Sequence, residues 1–344
     1  MAERDGQILA FLVEHGWAEA DRAPLSGDAS FRRYERLELD GRRAVLMDAP
    51  PADEDVRPFV AVARHLVSLG FSAPRVLAES PDDGFLLLED LGDETYTKAL
   101  DDDARDGDAD AERALYALAV DVLVDLHRRP AAEVVPKGLP PYGNGRLLDE
   151  AFLLPRWYLP AMTGEPVPEP QRKAYGEAWL QVFPHVHAQP RTLVLRDYHV
   201  DNLMLLKGRD GVARCGLLDF QDAVAGPGAY DLMSLLEDAR RDIDPGLRDA
   251  MVARYVDAFP GLDRDAFVQA FRILAAQRHA KVIGIFTRLS VRDGKPRYLE
   301  HIPRVWRLLE AALDDPALAP VAAWFDAHVP PDRRGAPPSP AAVA

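Results

Sequence analysis

Cysteine is almost missing: Cys215 alone occurs in 344 residues, so no disulfide within the chain can form and the fold has to hold by packing. That thiol sits in an apolar stretch and reads as a buried side chain. Long apolar runs are missing too; none approaches the roughly 20 residues that span a bilayer. The opening, MAERDGQILAFLVEHG, places charge where a signal peptide needs its apolar segment. The expectation is a soluble, cytoplasmic protein with no membrane partner. A basic excess is also lacking. Fifty-six acids oppose 41 bases, for a net charge of −15, which speaks against binding nucleic acid through its phosphates. One Cys and scattered His residues give no zinc ligand set.

What is present suffices for a sizeable core, since 48% of residues are apolar. The patterning predicts an amphipathic helix over 5–15, then strands over 31–39 and 42–48 joined by Asp40-Gly41, which suits a tight hairpin. A helix over 57–69 ends at Gly70, and strands follow near 74–78 and 84–89. Helical periodicity then dominates: about 110–128, 146–158, 169–188, 228–241, 246–257 and 263–292. The interruption is 192–222, where short apolar strands flank polar loops. The acid run from Asp101 to Glu112 reads as a solvated loop. The class is therefore α+β, with a sheet lobe over 1–91, a mainly helical lobe over 92–329, and a disordered Pro- and Ala-rich tail over 330–344.

Chemistry concentrates in Leu195-Arg196-Asp197-Tyr198-His199-Val200-Asp201-Asn202 and Leu217-Leu218-Asp219-Phe220-Gln221-Asp222. Phosphoryl transfer needs a carboxylate to position and deprotonate the acceptor hydroxyl, and oxygen ligands for Mg²⁺ on the nucleotide phosphates. Asp197 fits the first role. Asn202 and Asp219 supply the hard oxygens that Mg²⁺ prefers. A surface turn gives the same Asp and Asn spacing, so the weight rests on the whole ordered set.

That set resembles the catalytic and metal-binding loops of the protein-kinase-like fold, in its aminoglycoside phosphotransferase branch. His199, two residues after the Asp, and the segment Gly226-Pro227-Gly228-Ala229-Tyr230-Asp231-Leu232 carry the resemblance to that branch. It implies an ATP- and Mg²⁺-dependent kinase in which Asp231 braces the catalytic loop from the start of a helix. Ser30 to Tyr34, Met47 to Pro51, Phe85 to Gly92 and Gln277 to Phe286 resemble one subgroup more narrowly, the bacterial kinases of cell-wall recycling that phosphorylate N-acetylmuramate and N-acetylglucosamine at the anomeric hydroxyl. The resemblance covers roughly 5–310. It implies amino-sugar 1-phosphates that a nucleotidyltransferase takes onward. Aminoglycoside or other metabolite phosphotransfer is the alternative, and a nucleotide-binding pseudokinase the second.

The pattern departs from the fold's usual one in two places. Most kinases of this fold pair a Lys on the third strand with a Glu on the next helix; here Met47 and Phe59 fall at those positions. Losing both together leaves no stranded charge. Arg32, Arg33 or Arg43 would have to meet the phosphates, each with an exposed strand arginine as its plain reading. The phosphate-covering loop has one glycine, in Gly27-Asp28-Ala29-Ser30, with Ser30 as a phosphate contact. Glu89 to Gly92, with Leu91, would offer backbone groups to adenine. On the acceptor side Arg278, Lys281, Arg288 and Arg292 share one wedge of a helix. They read either as an anion-receptive edge or as a solvated edge whose stems cover apolar surface. Trp157 and Tyr158 either stack on a sugar or pack in the core. His199 braces the loop, contacts the acceptor or packs; His279 reads as a hydrogen-bonded packing residue.

Overall fold

Mixed apolar and polar residues along 33–39, the apolar run 44–47 and the turn between them make the first hairpin. Asp40 and Gly41 adopt φ of 50° and 75°, the left-handed pair that a two-residue turn requires. In the computed structural model, which describes residues 2–25, 32–106 and 109–338, this hairpin lies within a five-stranded antiparallel sheet. Its strands are β1 (Asp21–Leu25), β2 (Arg33–Leu39), β3 (Arg42–Asp48), β4 (Val76–Ser80) and β5 (Phe85–Glu89), in the order β1-β2-β3-β5-β4. β1 was not expected. Its five residues are almost all exposed and include Pro24, so it carries no alternation and tolerates proline as an edge strand. β4 starts two residues later than expected because its pairing with β5 shifts between Val76 and Ala78.

The two sheet faces do different work. Leu37, Ala44, Leu46, Phe85 and Leu87 meet Ile8, Phe11 and Leu12 of the helix Ala2–Glu14. The period-two rule sends Tyr34, Val45, Met47, Leu86 and Leu88 to the opposite face. The helix Arg57–Ser68 buries Phe59, Val60, Val62, Ala63 and Leu66.

The acid run is helical rather than looped: helices span Tyr96–Asp106 and Ala109–Arg128. Tyr96, Ala99 and Leu100 bury one side, and Asp110 and Glu112 sit in a first turn, where the helix dipole favours anions. A solvated face is compatible with a helix as well as with a loop.

Residues 191–227 contribute four short strands: β6 (Arg191–Val194), β7 (Leu203–Leu205), β8 (Cys215–Leu217) and β9 (Val224–Pro227). β6 pairs with β9 and β7 with β8, both antiparallel. Packing groups the chain into one unit of Met1–Asp125, Ala132–Lys137 and Val200–Ala223, and another of Leu126–Ala131, Gly138–His199 and Val224–Ala344. The β7–β8 hairpin belongs with the sheet because Leu217 N–H donates to Ser72 O (2.8 Å), Leu205 N–H to Glu94 O (2.7 Å) and Ser72 Oγ to Ala213 O (2.6 Å).

The second unit is built on the helix Arg264–Val291, which buries nineteen of its 28 residues, polar and charged ones among them. The expected helix 146–158 is split: Asn144–Ala151 is α-helical and Leu154–Tyr158 forms a π-turn beginning at Pro155's neighbour. Proline cannot donate into the ladder, which is one cause of such breaks. The helix expected over 228–241 stops at Leu236, where Glu237 leaves helical geometry and turns its carboxylate to His279 (2.8 Å). Helices Ile302–Leu313 and Ala319–His328 were not foreseen. Nor is the tail free over its first part. Pro331–Arg333 forms a turn, Tyr158 Oη donates to Arg333 O or Gly335 O (both 2.8 Å), and Arg334 pairs with Glu310 and Asp326.

Gly284 lets the long helix meet that π-turn: a Cβ there would lie 2.3 Å from the carbonyl carbon of Leu153. Because backbone rather than a side-chain tip is in the way, Gly284→Ala should cost about 1–3 kcal/mol of stability. Urea unfolding measures it; an unchanged midpoint would contradict this close approach.

Candidate active site

In the second unit β6 ends on the buried Leu193 and Val194, and after the buried Leu195 the chain turns sharply. Arg196 holds φ at 71°, an unfavourable value for a residue with a side chain that persists only where its surroundings enforce it. The enforcing groups are visible. Asp231, fully buried on the helix Ala229–Leu236, accepts N–H bonds from Leu195 (2.6 Å) and Arg196 (2.8 Å). Arg278 Nη1 donates to the Arg196 carbonyl (3.2 Å) and to Tyr230 Oη (3.1 Å), and Ser234 Oγ also donates to that carbonyl (3.3 Å). Asp231 therefore braces the loop as the sequence suggested.

Asp197 follows with its side chain 30% exposed, its Oδ1 3.7 Å from Arg278 Nη1. Burial would raise its pKa, but Lys281, Arg278, Arg196 and then His199 outweigh it and hold the carboxyl below its ordinary value. Behind it Glu150 gathers Arg196, Lys281 (3.3 Å), the Tyr142 hydroxyl (2.6 Å) and Gln277 Nε2 (3.2 Å). Arginine and lysine on the long helix thus belong to an interior charge network. Arg278 and Lys281 face inward, whereas Arg288 is half-buried and Arg292, paired with Asp293, lies on the solvated edge that was one reading of the wedge. His199 is nearly buried and its backbone N–H donates to Asp197 O (3.2 Å). Tyr158 is fully buried against Trp306 with its hydroxyl on the C-terminal strap, so it packs and does not stack on a ligand.

In the first unit, Asn202 closes a short 3₁₀ turn ahead of β7. Its carbonyl accepts Leu218 N–H (3.0 Å), so the β7–β8 ladder clamps Asn202 beside the residue preceding Asp219. Asp219 also has positive φ, 58°, and its side chain is 42% exposed. Gln221 Nε2 donates to it (2.9 Å), and Arg32 Nη1 lies 3.6 Å away. Asp201 is bonded to the Thr97 hydroxyl, and Asn202 and Asp219 offer two further side-chain oxygens. Two protein oxygens on a rigid ladder, one of them half exposed, fit Mg²⁺, which takes few protein ligands and fills its octahedron with phosphate oxygens and water.

Met47 is buried between Tyr34 and Leu86 on neighbouring strands. Phe59 stacks on Phe220 with ring centroids 5.0 Å apart. Both side chains are thus held in apolar packing. Of the phosphate candidates, Arg32 reaches Asp219, whereas Arg33 joins Arg4 on Asp48 and Arg43 is half exposed beside Glu38. Glu89's side chain is taken by Arg209 (2.7 Å) and Arg75 (3.1 Å), so only its backbone is left for a base. Leu91 lines a cavity of about 370 Å³ with Asp90, Asp93, Leu205 and Arg209. Ser30 lies outside the described residues.

A family model, described as a phosphotransferase enzyme family, matches residues 21–268. The chain belongs to this family. It is accordingly an enzyme that moves phosphate to a hydroxyl acceptor. A protein of Caulobacter vibrioides named N-acetylmuramate/N-acetylglucosamine kinase is 36% identical, over 97% of this chain and 99% of its own. One of the same name from Pseudomonas aeruginosa is 39% identical over 90% and 89%. Among solved structures, choline kinase LicA from Streptococcus pneumoniae superposes with a TM-score of 0.62 at 10% identity, covering 91% of this chain and all of that one. That likeness shows the protein-kinase-like fold alone.

Sequence reasoning passed over Glu150, Tyr142 and Glu54. Glu150 sits in a Leu-Asp-Glu-Ala run like any surface helix, and nothing local marks it as interior. Tyr230 lay inside the segment that identified Asp231 without receiving a role.

Burial pushes Asp231 up to about 7 from 3.8, against the two amide bonds that favour its ionised form. Between those values the folded chain holds a proton the unfolded chain has released, so its stabilisation is full below about pH 4 and lost as pH rises through 7. Asp231→Asn removes this dependence. The stability of wild type relative to the variant should therefore rise on going from pH 7 to pH 4; a constant difference in urea unfolding would refute it. For Asp197 the sign is opposite. Arg278→Gln should move the acid limb of kcat/KM upward in pH, and an unmoved limb would show that Arg278 does not hold this carboxylate ionised.

Proposed function

We propose that this enzyme transfers the γ-phosphoryl group of ATP to the anomeric hydroxyl of N-acetylmuramate and N-acetylglucosamine, in the cytoplasm. The sugar 1-phosphate would pass to a nucleotidyltransferase of cell-wall recycling. The observation that carries the choice of sugar is the shared name of relatives aligned over nearly their whole lengths. The chemistry is supported by Asp197, an ionised and partly exposed carboxylate held on a backbone that Asp231 and Arg278 fix.

In this reading Asp197 accepts the proton of the acceptor hydroxyl. The acceptor oxygen then bonds to the γ-phosphorus while the bond from that phosphorus to the ADP oxygen breaks. Mg²⁺, held by Asn202 and Asp219, supplies charge neutralisation at the phosphates. A carboxylate with a lowered pKa is a weak base, and its contribution is chiefly to orient the hydroxyl. That agrees with a reaction in which positioning outweighs proton transfer. Arg278 is assigned to the loop rather than to the lactyl carboxylate of N-acetylmuramate, because its donors are directed at Arg196 O and Tyr230.

ADP release with Mg·ATP should appear with the two N-acetylated sugars and not with kanamycin or water, with the new phosphate on C1 by NMR. Asp197→Asn should lower turnover by about 10²-fold or more while ADP affinity stays within a few-fold. Turnover of kanamycin alone would replace the sugar assignment, and near-normal turnover in the variant would remove Asp197 from the mechanism.

A further inference from the structure

A bound nucleoside triphosphate brings up to four negative charges, and the strand position that would ordinarily offer an amine holds the buried thioether of Met47. Arginines on and around the sheet can be sorted by what they already hold. Arg33 and Arg4 converge on Asp48, on the face packed by the N-terminal helix. Arg36 spans Asp90 and Asp93 (both 2.7 Å). Arg209 and Arg75 hold Glu89, and Arg43 lies out beside Glu38. Arg32 is paired as well, but one of its carboxylates is Asp219. Its Nε is fixed by Glu54 (2.7 Å), its side chain is 11% exposed, and its Nη1 points toward Tyr34 Oη (3.5 Å) and Asp219 Oδ1 (3.6 Å).

We propose that Arg32, oriented by Glu54, is the cation that receives the nucleotide's phosphates, replacing the missing lysine and glutamate pair from a different strand and a different loop. The replacement is displaced in sequence. Arg32 immediately precedes β2 rather than lying on β3, and Glu54 lies in the turn before the helix Arg57–Ser68 rather than on it. The pairing logic is nonetheless the same: a carboxylate holds one edge of a cation so that its remaining donors face the metal-binding carboxylate. Arginine suits this position because its planar fork matches phosphate oxygens two at a time. It also carries its charge at every pH the protein meets. At the two usual positions Met47 is buried and Phe59 stacks on Phe220.

This inference rests on the phosphotransfer reading, yet the two fail separately. If wild type does not phosphorylate the sugars, the function is wrong; if wild type is active and Arg32 variants bind nucleotide normally, only the assignment of Arg32 is wrong. The test is nucleotide binding by calorimetry, with ADP and ATP, and adenosine by NMR titration. Arg32→Ala should weaken ADP and ATP binding at least 10-fold and leave adenosine unchanged, since adenosine has no phosphate to lose. Arg32→Lys should fall between, keeping charge without the fork. Glu54→Gln should weaken ADP binding less than Arg32→Ala, because the cation remains but loses its tether. Equal ADP affinity in wild type and Arg32→Ala would overturn the proposal. So would a parallel loss of adenosine, which would mean that the pair merely supports the fold.

Discussion

The polar interior behind Asp197 turns on one constraint, the left-handed backbone at Arg196. A residue with a Cβ does not stay there unaided. Asp231 captures two amides, Arg278 and Ser234 bond the carbonyl, and Glu150 anchors the Arg196 side chain. Each of these groups would be costly to bury alone. Together they satisfy one another, and the long helix Arg264–Val291 is the element rigid enough to deliver Gln277, Arg278 and Lys281 from one side. The exposed carboxylate of Asp197 is the part of this arrangement that faces outward.

The first unit solves a similar problem with a ladder instead of a charge network. Asp219 is also left-handed, and there the clamp is the β7–β8 pairing together with the Leu218–Asn202 bond. Phe220, the next residue, is pinned by Phe59. Asp197 and Asp219 thus sit just after and at left-handed backbone, each held by a different kind of interaction.

Local rules made much of this readable. Asp40-Gly41 announced its hairpin, the apolar run ahead of Asp219 announced a strand end, and Asp231 was placed because its motif is contiguous. What stayed hidden depends on contacts distant in sequence. Glu150 is 46 residues from Arg196, and no pattern around it says that it is interior. The arginine wedge on the long helix was visible as a wedge, but periodicity cannot tell a water-facing stripe from one turned toward buried acids. The unforeseen β1 lacks alternation because both its faces are open. The acid run misled because charge density reports solvation, and a solvated helix face and a loop share it. Tyr158 and the C-terminal strap joined through backbone carbonyls, which leave no trace in side-chain chemistry.

The thioether of Met47 also alters how the protein meets reactive chemistry. Covalent inhibitors and acyl-phosphate nucleotide probes that find kinases do so by acylating the strand amine beside the phosphates. β3 offers no such nucleophile here, and a guanidinium, protonated and delocalised, is a poor one. An enzyme of this build would go uncounted in a survey of nucleotide-binding proteins directed at that amine.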